Sequence, residues 1–486
     1  MAAAEVAPFA RTGGLGDVLG ALPRFLKRCG VDVAVVLPGY RCTRVPQFGW
    51  EGTDFEVQAP VSSRFVRAPV LRTTMGDEVP VYAIAADEYF DRPALYGEGG
   101  KPYPDNAERF AFFSRAVLDL AGTLGIPDVI HVHDWHAALA SAFLRADAAR
   151  YPWSQQVRTV LTIHNLAYQG SFWAHDWYIL NLDPRFFSFD ALEAWGNINY
   201  LKGGISFADW ITTVSPTYAR EIQTPEYGCG LDGTLRYRAE RLTGILNGVD
   251  YDEWDPATDP NLPANFSLKD LRGKAGCKAH LQQRLGLPVN PHQPLIGVVS
   301  RLVAEKGMAL LADTMPALLE TGVQLVLLGQ GDVTLERRWQ EIGQRYKGAV
   351  SVNLAFDERL ARQIYGGTDI FLMPSQFEPC GLSQMYAMRY GSIPVVHATG
   401  GLLDSVIDVQ VDPEHATGFH FSPFTSAALV SAVDRALQWY AQPPLWRALV
   451  ERAMRADFSW GRAAAAYQNV YANARTSDPF WPLASH

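Results

Sequence analysis

Asp369-Ile-Phe-Leu-Met-Pro-Ser-Gln-Phe-Glu-Pro-Cys-Gly-Leu-Ser-Gln384 reads as a short apolar strand, a turn carrying Pro and Gly, and the start of a helix. Four consecutive apolar residues without alternation suit a strand buried on both faces, as in a parallel sheet. The same pattern recurs outward along the chain. Leu295–Ser300, Val323–Leu328 and Ile393–Val396 repeat it in the second half, and Val31–Leu37, Val129–Val132 and Thr159–Ile163 in the first. Buried strands alternating with helical stretches predict an α/β architecture built from two parallel-sheet domains. A stretch rich in Pro, Asn and Asp, from Asn247-Gly-Val-Asp250 to about Gln293, marks the boundary. The expected domains are residues 1–248 and 249–460, followed by a helical stretch (Arg462–Arg475) and tail over 461–486. Open parallel sheets bind ligands beyond the carboxyl ends of their strands, so the active cleft is expected where two such sheets face each other.

Composition narrows the function. The 486 residues suffice for two or three domains, and 48% hydrophobic with 19% charged residues describes a soluble globular chain. With 42 basic against 51 acidic residues the net charge is −9, which gives no field for a nucleic-acid backbone. Any bound anion must be held by local cations and backbone N–H groups. The five cysteines (Cys29, Cys42, Cys229, Cys277, Cys380) form no CxxC pair, so neither a zinc ribbon nor a disulfide framework is indicated and a cytoplasmic location is expected. No apolar run approaches the ~20 residues of a membrane helix, and Met1–Ala10 lacks the basic flank of a signal peptide.

Several segments carry groups suited to chemistry. Arg11-Thr-Gly-Gly-Leu-Gly-Asp17 precedes a helical pattern expected from about Val18. Gly13 and Gly14 would let a ligand approach backbone N–H groups at a helix start, though an ordinary strand-to-helix turn has the same composition. His131-Val-His-Asp-Trp-His136 ends a strand, with His131 and His133 on one face; it suits sugar hydroxyls better than a metal, for which no further ligand is evident. His164 and Asn165 end the next strand and could reach the same cleft, though either cluster taken alone fits satisfied structural histidines equally well. Arg301 and Lys306 lie across a turn after another strand, close enough to converge on one phosphate-rich ligand, unless they are merely solvated loop charges. Gly329, in Leu328-Gly-Gln-Gly-Asp332, again permits close approach, but the third Gly of a dinucleotide fingerprint is missing. Glu378 stands before a helix start, where it can face a polyhydroxyl ligand while helix N–H groups hold phosphate. Cys380 beside it has no evident base to make it a nucleophile.

Seven segments together, in order, resemble the bacterial glycogen synthase and plant starch synthase family: EVAPFARTGGLGDVLGALP, HVHDWHAAL, TIHNLAYQG, NGVDYDEWDP, VSRLVAEKG, LLGQGD and PSQFEPCGLSQMYAMRYG. The resemblance runs from about Glu5 to about Tyr467. It implies the GT-B architecture: two Rossmann-like domains facing a central cleft, with the C-terminal helix crossing back onto the N-terminal domain. It further implies a glucosyltransferase that needs no metal or other cofactor and retains the α configuration. Glucose would pass from ADP-glucose to the non-reducing end of an α-1,4-glucan, with no nucleic-acid or membrane partner.

Carried over by position, Arg301 and Lys306 resemble the pair holding the donor diphosphate, and Glu378 the essential carboxylate beside the transferring glucose. Cys380, Gly381 and Leu382 resemble the loop whose backbone contacts the donor. His164 resembles the histidine over the reacting sugar, and Asp134 the acidic residue on the acceptor side. Phe356 falls where the family places an aromatic ring on the nucleobase; many bacterial members have Tyr there. Arg11, Gly13, Gly14, Asp17, Asn247 and Gly329 complete the expected donor-binding set. Two features depart from the family. Arg11 replaces the usual Lys of the glycine loop. Only four residues precede Glu5, so either the first strand is abbreviated or the true start lies upstream. The rival functions are a related transferase using UDP-glucose or a small acceptor, and a non-catalytic glucan-binding protein.

Overall fold

The computed structural model describes residues 1–480. The chain divides into two compact units, one comprising Met1–Gly248 with the segment from Trp460 onward, the other Val249–Ser459.

In the second unit six strands lie side by side in the order Val350–Asn353, Gln324–Leu328, Leu295–Val299, Ile370–Met373, Ile393–His397 and Phe419–Phe421. Every neighbouring pair is parallel. Every residue of Gln324–Leu328 and Ile393–His397 is buried, which explains why these strands read as continuous apolar runs. The helix Met308–Glu320 buries Met308, Leu311, Ala312, Met315 and Leu318, a stripe at the helical period. Each fully buried Leu or Val side chain stabilises by about 1.5–3 kcal/mol relative to exposure. The boundary-like stretch after Asn247 is not all linker. Arg272–Arg284 is a helix of the second unit, held by Cys277, Lys278, Leu281 and Gln282.

In the first unit the parallel strands Val129–His133, Arg158–Ile163, Trp210–Thr213 and Leu242–Gly244 are adjacent in that order. Ala2 forms parallel bridges to both Val132 and Val36, so the first residues sit as a short central strand. Beyond Val35–Pro38 the sheet continues through Val79–Ile84, Arg64–Met75 and Glu51–Val61, the last three antiparallel. This ribbon is absent from an all-parallel reading of the sequence. Its signature is the alternation that buries Val57, Ala59 and Val61 against Val66, Ala68 and Val70. The expected Val31–Leu37 strand begins only at Val35. The preceding helix, Gly14–Arg28, closes through Gly30 in the left-handed region (φ 85°) and the bond from Val31 N–H to the Leu26 carbonyl, which uses the residues before it.

The helix Trp460–Thr476 belongs to this first unit and buries Trp460, Ala463, Ala464, Tyr467, Val470 and Ala474. Gly248 meets its first residue so closely that a Cβ there would lie 2.6 Å from the Trp460 Cα, and only glycine fits. Among the described residues no helix is long and apolar enough to cross a membrane.

Candidate active site

In the second unit the loops at the carboxyl ends of the strands are laced together by backbone bonds. Gln376 N–H donates to the Glu305 carbonyl (2.9 Å), which ties the Pro374–Glu378 loop to the turn Ala304–Lys306. Lys306 Nζ thereby lies 2.7 Å from a carboxylate oxygen of Glu378, and Ser375 Oγ donates to the same oxygen at 3.1 Å. Glu378 is only 6% exposed, so its charge depends on these partners. Arg301, by contrast, is largely exposed and pairs with Glu305 of its own loop at 2.8 Å. The sequence placed Arg301 and Lys306 as one convergent pair; here each cation is engaged by a different carboxylate.

Cys380 is buried and in no disulfide, Gly381 is in the left-handed region (φ 73°), and Leu382 precedes the helix Ser383–Arg389. The side chain of Gln384 turns back to the Cys380 and Gly381 carbonyls, which fixes this loop. Gly329 is required by packing: a Cβ there would lie 1.8 Å from the Ser300 carbonyl oxygen. Next to it, Leu302 N–H bonds the Gln330 carbonyl and Asp332 N–H the Leu302 carbonyl, joining the Arg301 loop to the Gly329 loop. Phe356 is 85% exposed, a ring without cover just before Asp357, which caps the helix Glu358–Gly367. Sequence reading missed His397. Its Nδ1–H donates to the Ser375 carbonyl (2.9 Å) and steadies the Glu378 loop from the next strand. A histidine closing the apolar run Ile-Pro-Val-Val was the available signal.

In the first unit the glycine loop holds an internal anion. The carboxylate of Glu5 accepts from Thr12 N–H (2.5 Å), Thr12 Oγ (2.6 Å), Gly13 N–H (3.1 Å) and the Tyr96 hydroxyl (2.7 Å). Glu5 and Tyr96 were not among the expected site residues, and nothing in their spacing pairs them. The helix starts at Gly14, not near Val18, so Gly14 and Asp17 lie inside its first turn. Arg11 Nε pairs with Asp17 at 2.7 Å. A Cβ at Gly13 or Gly14 would meet nothing within 4 Å, so neither glycine is demanded by packing, and both leave open space over the helix start.

Asp134 opens the helix Asp134–Ala146 in the left-handed region (φ 53°), a conformation that costs a non-glycine residue on the order of 1 kcal/mol. Its carboxylate is held by the His164 N–H (2.7 Å) and by a bond from Asn165 N–H, which joins the ends of two adjacent strands. Burial raises this carboxyl to about 7, against the lowering effect of those two bonds. His164 is pushed down to about 3 by burial, and its Nε2 lies 3.0 Å from His133 Nδ1. His131 bonds Thr162 Oγ (2.6 Å) and the Tyr471 hydroxyl (2.8 Å), while the His136 ring stacks on Tyr96. The histidines of the His131–His136 segment therefore have separate partners. Among the described residues no group of three or more His, Cys, Asp or Glu is arranged to hold a metal ion. Asn247 is buried near the end of the first unit's main stretch, its Oδ1 without a hydrogen-bond partner among the described residues.

Residues 1–237 match the family model described as the starch synthase catalytic domain, and residues 282–453 the model of glycosyl transferases group 1. The chain is 46% identical to the glycogen synthase of Syntrophotalea carbinolica over 475 residues, 98% of each protein. It is 48% identical to a glycogen synthase of Anaeromyxobacter dehalogenans, across 96% of this chain and 97% of that one. Among solved structures, the catalytic domain of starch synthase IV from Arabidopsis thaliana, bound to ADP and acarbose, superposes with a TM-score of 0.89 at 38% identity, covering 98% of this chain and 99% of that one.

Proposed function

We infer, from a chain that belongs to the glycogen and starch synthase family of glycosyltransferases, that it moves glucose from ADP-glucose to the non-reducing end of an α-1,4-glucan with retention of configuration. The observation that carries this reading is the buried Glu378 carboxylate bonded to Lys306 within the family's own motif. ADP as the nucleotide is supported by the ADP bound to the Arabidopsis enzyme, and a glucan acceptor by the acarbose also bound to it and by the names of the bacterial relatives.

Cleaving the anomeric C1–O bond leaves negative charge on the diphosphate and positive charge on the sugar. Lys306 has three N–H donors and uses one on Glu378, so two remain for diphosphate oxygens. Arg301 joins by exchanging Glu305 for phosphate. Glu378 stabilises the positive sugar, and the backbone of Cys380, Gly381 and Leu382 holds the donor. Gly329 sets the loop that presents Arg301, Phe356 stacks on the base, and His164 contacts the transferring sugar. Asp134, Asn247 and the glycine loop with Arg11, Gly13, Gly14 and Asp17 serve the substrates from the first unit. As the C1–O bond to diphosphate breaks, the acceptor 4-hydroxyl bonds C1 on the same face, and its proton passes to a diphosphate oxygen. No metal is required in this scheme, because the cations and N–H groups neutralise the leaving group.

Radiolabelled ADP-glucose and UDP-glucose, each supplied with glycogen and with a small acceptor such as a sugar phosphate, test the reading. Label in glycogen from ADP-glucose is the expected result. Preference for UDP-glucose or for the small acceptor, or no transfer at all with glucan still bound, would replace it by one of its rivals.

A further inference from the structure

His133 and His164 end adjacent parallel strands, in a register that pairs His133 with Thr162. Their rings meet through His133 Nδ1 and His164 Nε2 at 3.0 Å. Burial holds both imidazoles well below their ordinary range, His164 at about 3, so both are neutral near pH 7 and a single proton lies between the two nitrogens. Which ring owns that proton decides what His164 offers at its other nitrogen.

The rest of the pair answers the question. His133 Nε2 is buried and has no hydrogen-bond partner among the described residues. If His164 owned the shared proton, the proton of His133 would sit on Nε2 as a buried N–H without an acceptor. If His133 carries its proton on Nδ1, the buried Nε2 is only an unused lone pair, which costs less. The His133 ring is held in place by His131, packed against it at a tilt of 32° with centroids 4.1 Å apart. His131 is in turn fixed at both nitrogens, by Thr162 and by Tyr471.

We propose that His133 is a positioning residue that donates from Nδ1 and locks His164 as its Nδ1–H tautomer, so that His164 presents a hydrogen-bond donor to an oxygen of the transferring glucose. A ring held this way cannot take a proton from the acceptor hydroxyl through that nitrogen. The proton must leave by another route, such as the departing diphosphate. The sugar contact rests on the role given to His164 above; the tautomer does not.

Long-range nitrogen–proton spectra of the full-length protein labelled with 15N-histidine, with His164 assigned by its loss in His164→Gln, read the tautomer directly. The expected result is Nδ1–H for His164 in the wild type and a shift to Nε2–H in His133→Leu. Kinetics supply the second arm. His133→Leu should lower kcat by about 10²–10³-fold with KM for the donor little changed, the scale of losing one preorganised donor. His133→Asn, whose amide N–H stands near the imidazole Nδ1–H, should restore most of that loss. An Nε2–H tautomer in the wild type overturns the proton assignment. The expected tautomer with unchanged kcat in His133→Leu overturns the sugar contact instead, and with it the role given to His164.

Discussion

Lys306 and Glu378 stand 72 positions apart in the chain and 2.7 Å apart in space, a cation and an anion that hold two neighbouring loops together. Replacing Glu378 by Gln keeps its size and its bond from Ser375 but removes the charge. Turnover should fall by at least roughly 10²-fold, in kcat more than in KM. Lys306→Ala should cost a similar factor and also some stability, because it strands a buried carboxylate. Steady-state kinetics and urea denaturation of both variants give the ranking; near-wild-type kcat in Glu378→Gln would make that residue a positioning group only.

Arg301 is expected to matter less. It is 59% exposed and already paired with Glu305, so its attraction to phosphate is screened and must compete. Arg301→Ala should raise the donor KM about tenfold, with the penalty shrinking at high salt. Glu305→Gln, which frees the guanidinium, should lower that KM. Kinetics at two ionic strengths check both signs.

The different fates of Arg301 and Lys306 show where sequence reading ends. Apolar strands buried on both faces announce themselves without alternation, and seven ordered motifs identified the family. Spacing placed Arg301 and Lys306 on one turn, yet it could not show which carboxylate each would take, because Glu378 arrives through a tertiary loop contact. Glu5 with Tyr96, and His397 with Ser375, were hidden for the same reason: their partners lie 91 and 22 residues away. The antiparallel ribbon Glu51–Ile84 carries a period-two alternation that the unbroken apolar runs of the parallel strands outweigh.

The glycine loop supplies a further test. Glu5 accepts four hydrogen bonds, three of them from Thr12 and Gly13, so Glu5→Gln should loosen the loop and weaken substrate binding. Arg11→Lys should retain near-normal activity, whereas Arg11→Ala should raise KM. Unchanged kinetics for donor and glucan in Arg11→Ala would leave Arg11 as a structural partner of Asp17 alone.

Acid should unfold the first unit readily. His131, His133, His136 and His164 are all held below their ordinary value by burial, the last two at about 3. Between about pH 6.5 and 3 the unfolded chain binds protons that the folded rings refuse, so stability falls as pH drops, by at most ~1.4 kcal/mol per histidine per pH unit. Asp134 acts in the opposite sense. Its raised value, about 7, means the folded carboxyl keeps a proton that the unfolded one has lost above pH 4. Four imidazoles outweigh one carboxyl. The urea midpoint should be clearly lower at pH 5 than at pH 7.5.

Chelation tests the cation scheme. With Lys306, Arg301 and backbone N–H groups neutralising the diphosphate, transfer activity should survive saturating EDTA. Loss on chelation with recovery on adding a divalent ion would return the histidine segment to consideration.

The helix Trp460–Thr476 has a consequence for the order in which the protein is made. Tyr471 of that helix bonds His131, whose ring packs against His133, which in turn bonds His164. The residues of Val249–Ser459 must therefore leave the ribosome before the first unit can finish its own interior. A nascent chain that has reached only Gly248 carries His131, His133 and His164 and still lacks the Tyr471 support behind His131. The imidazole column is therefore braced only after Tyr471 has been made, 340 residues after His131.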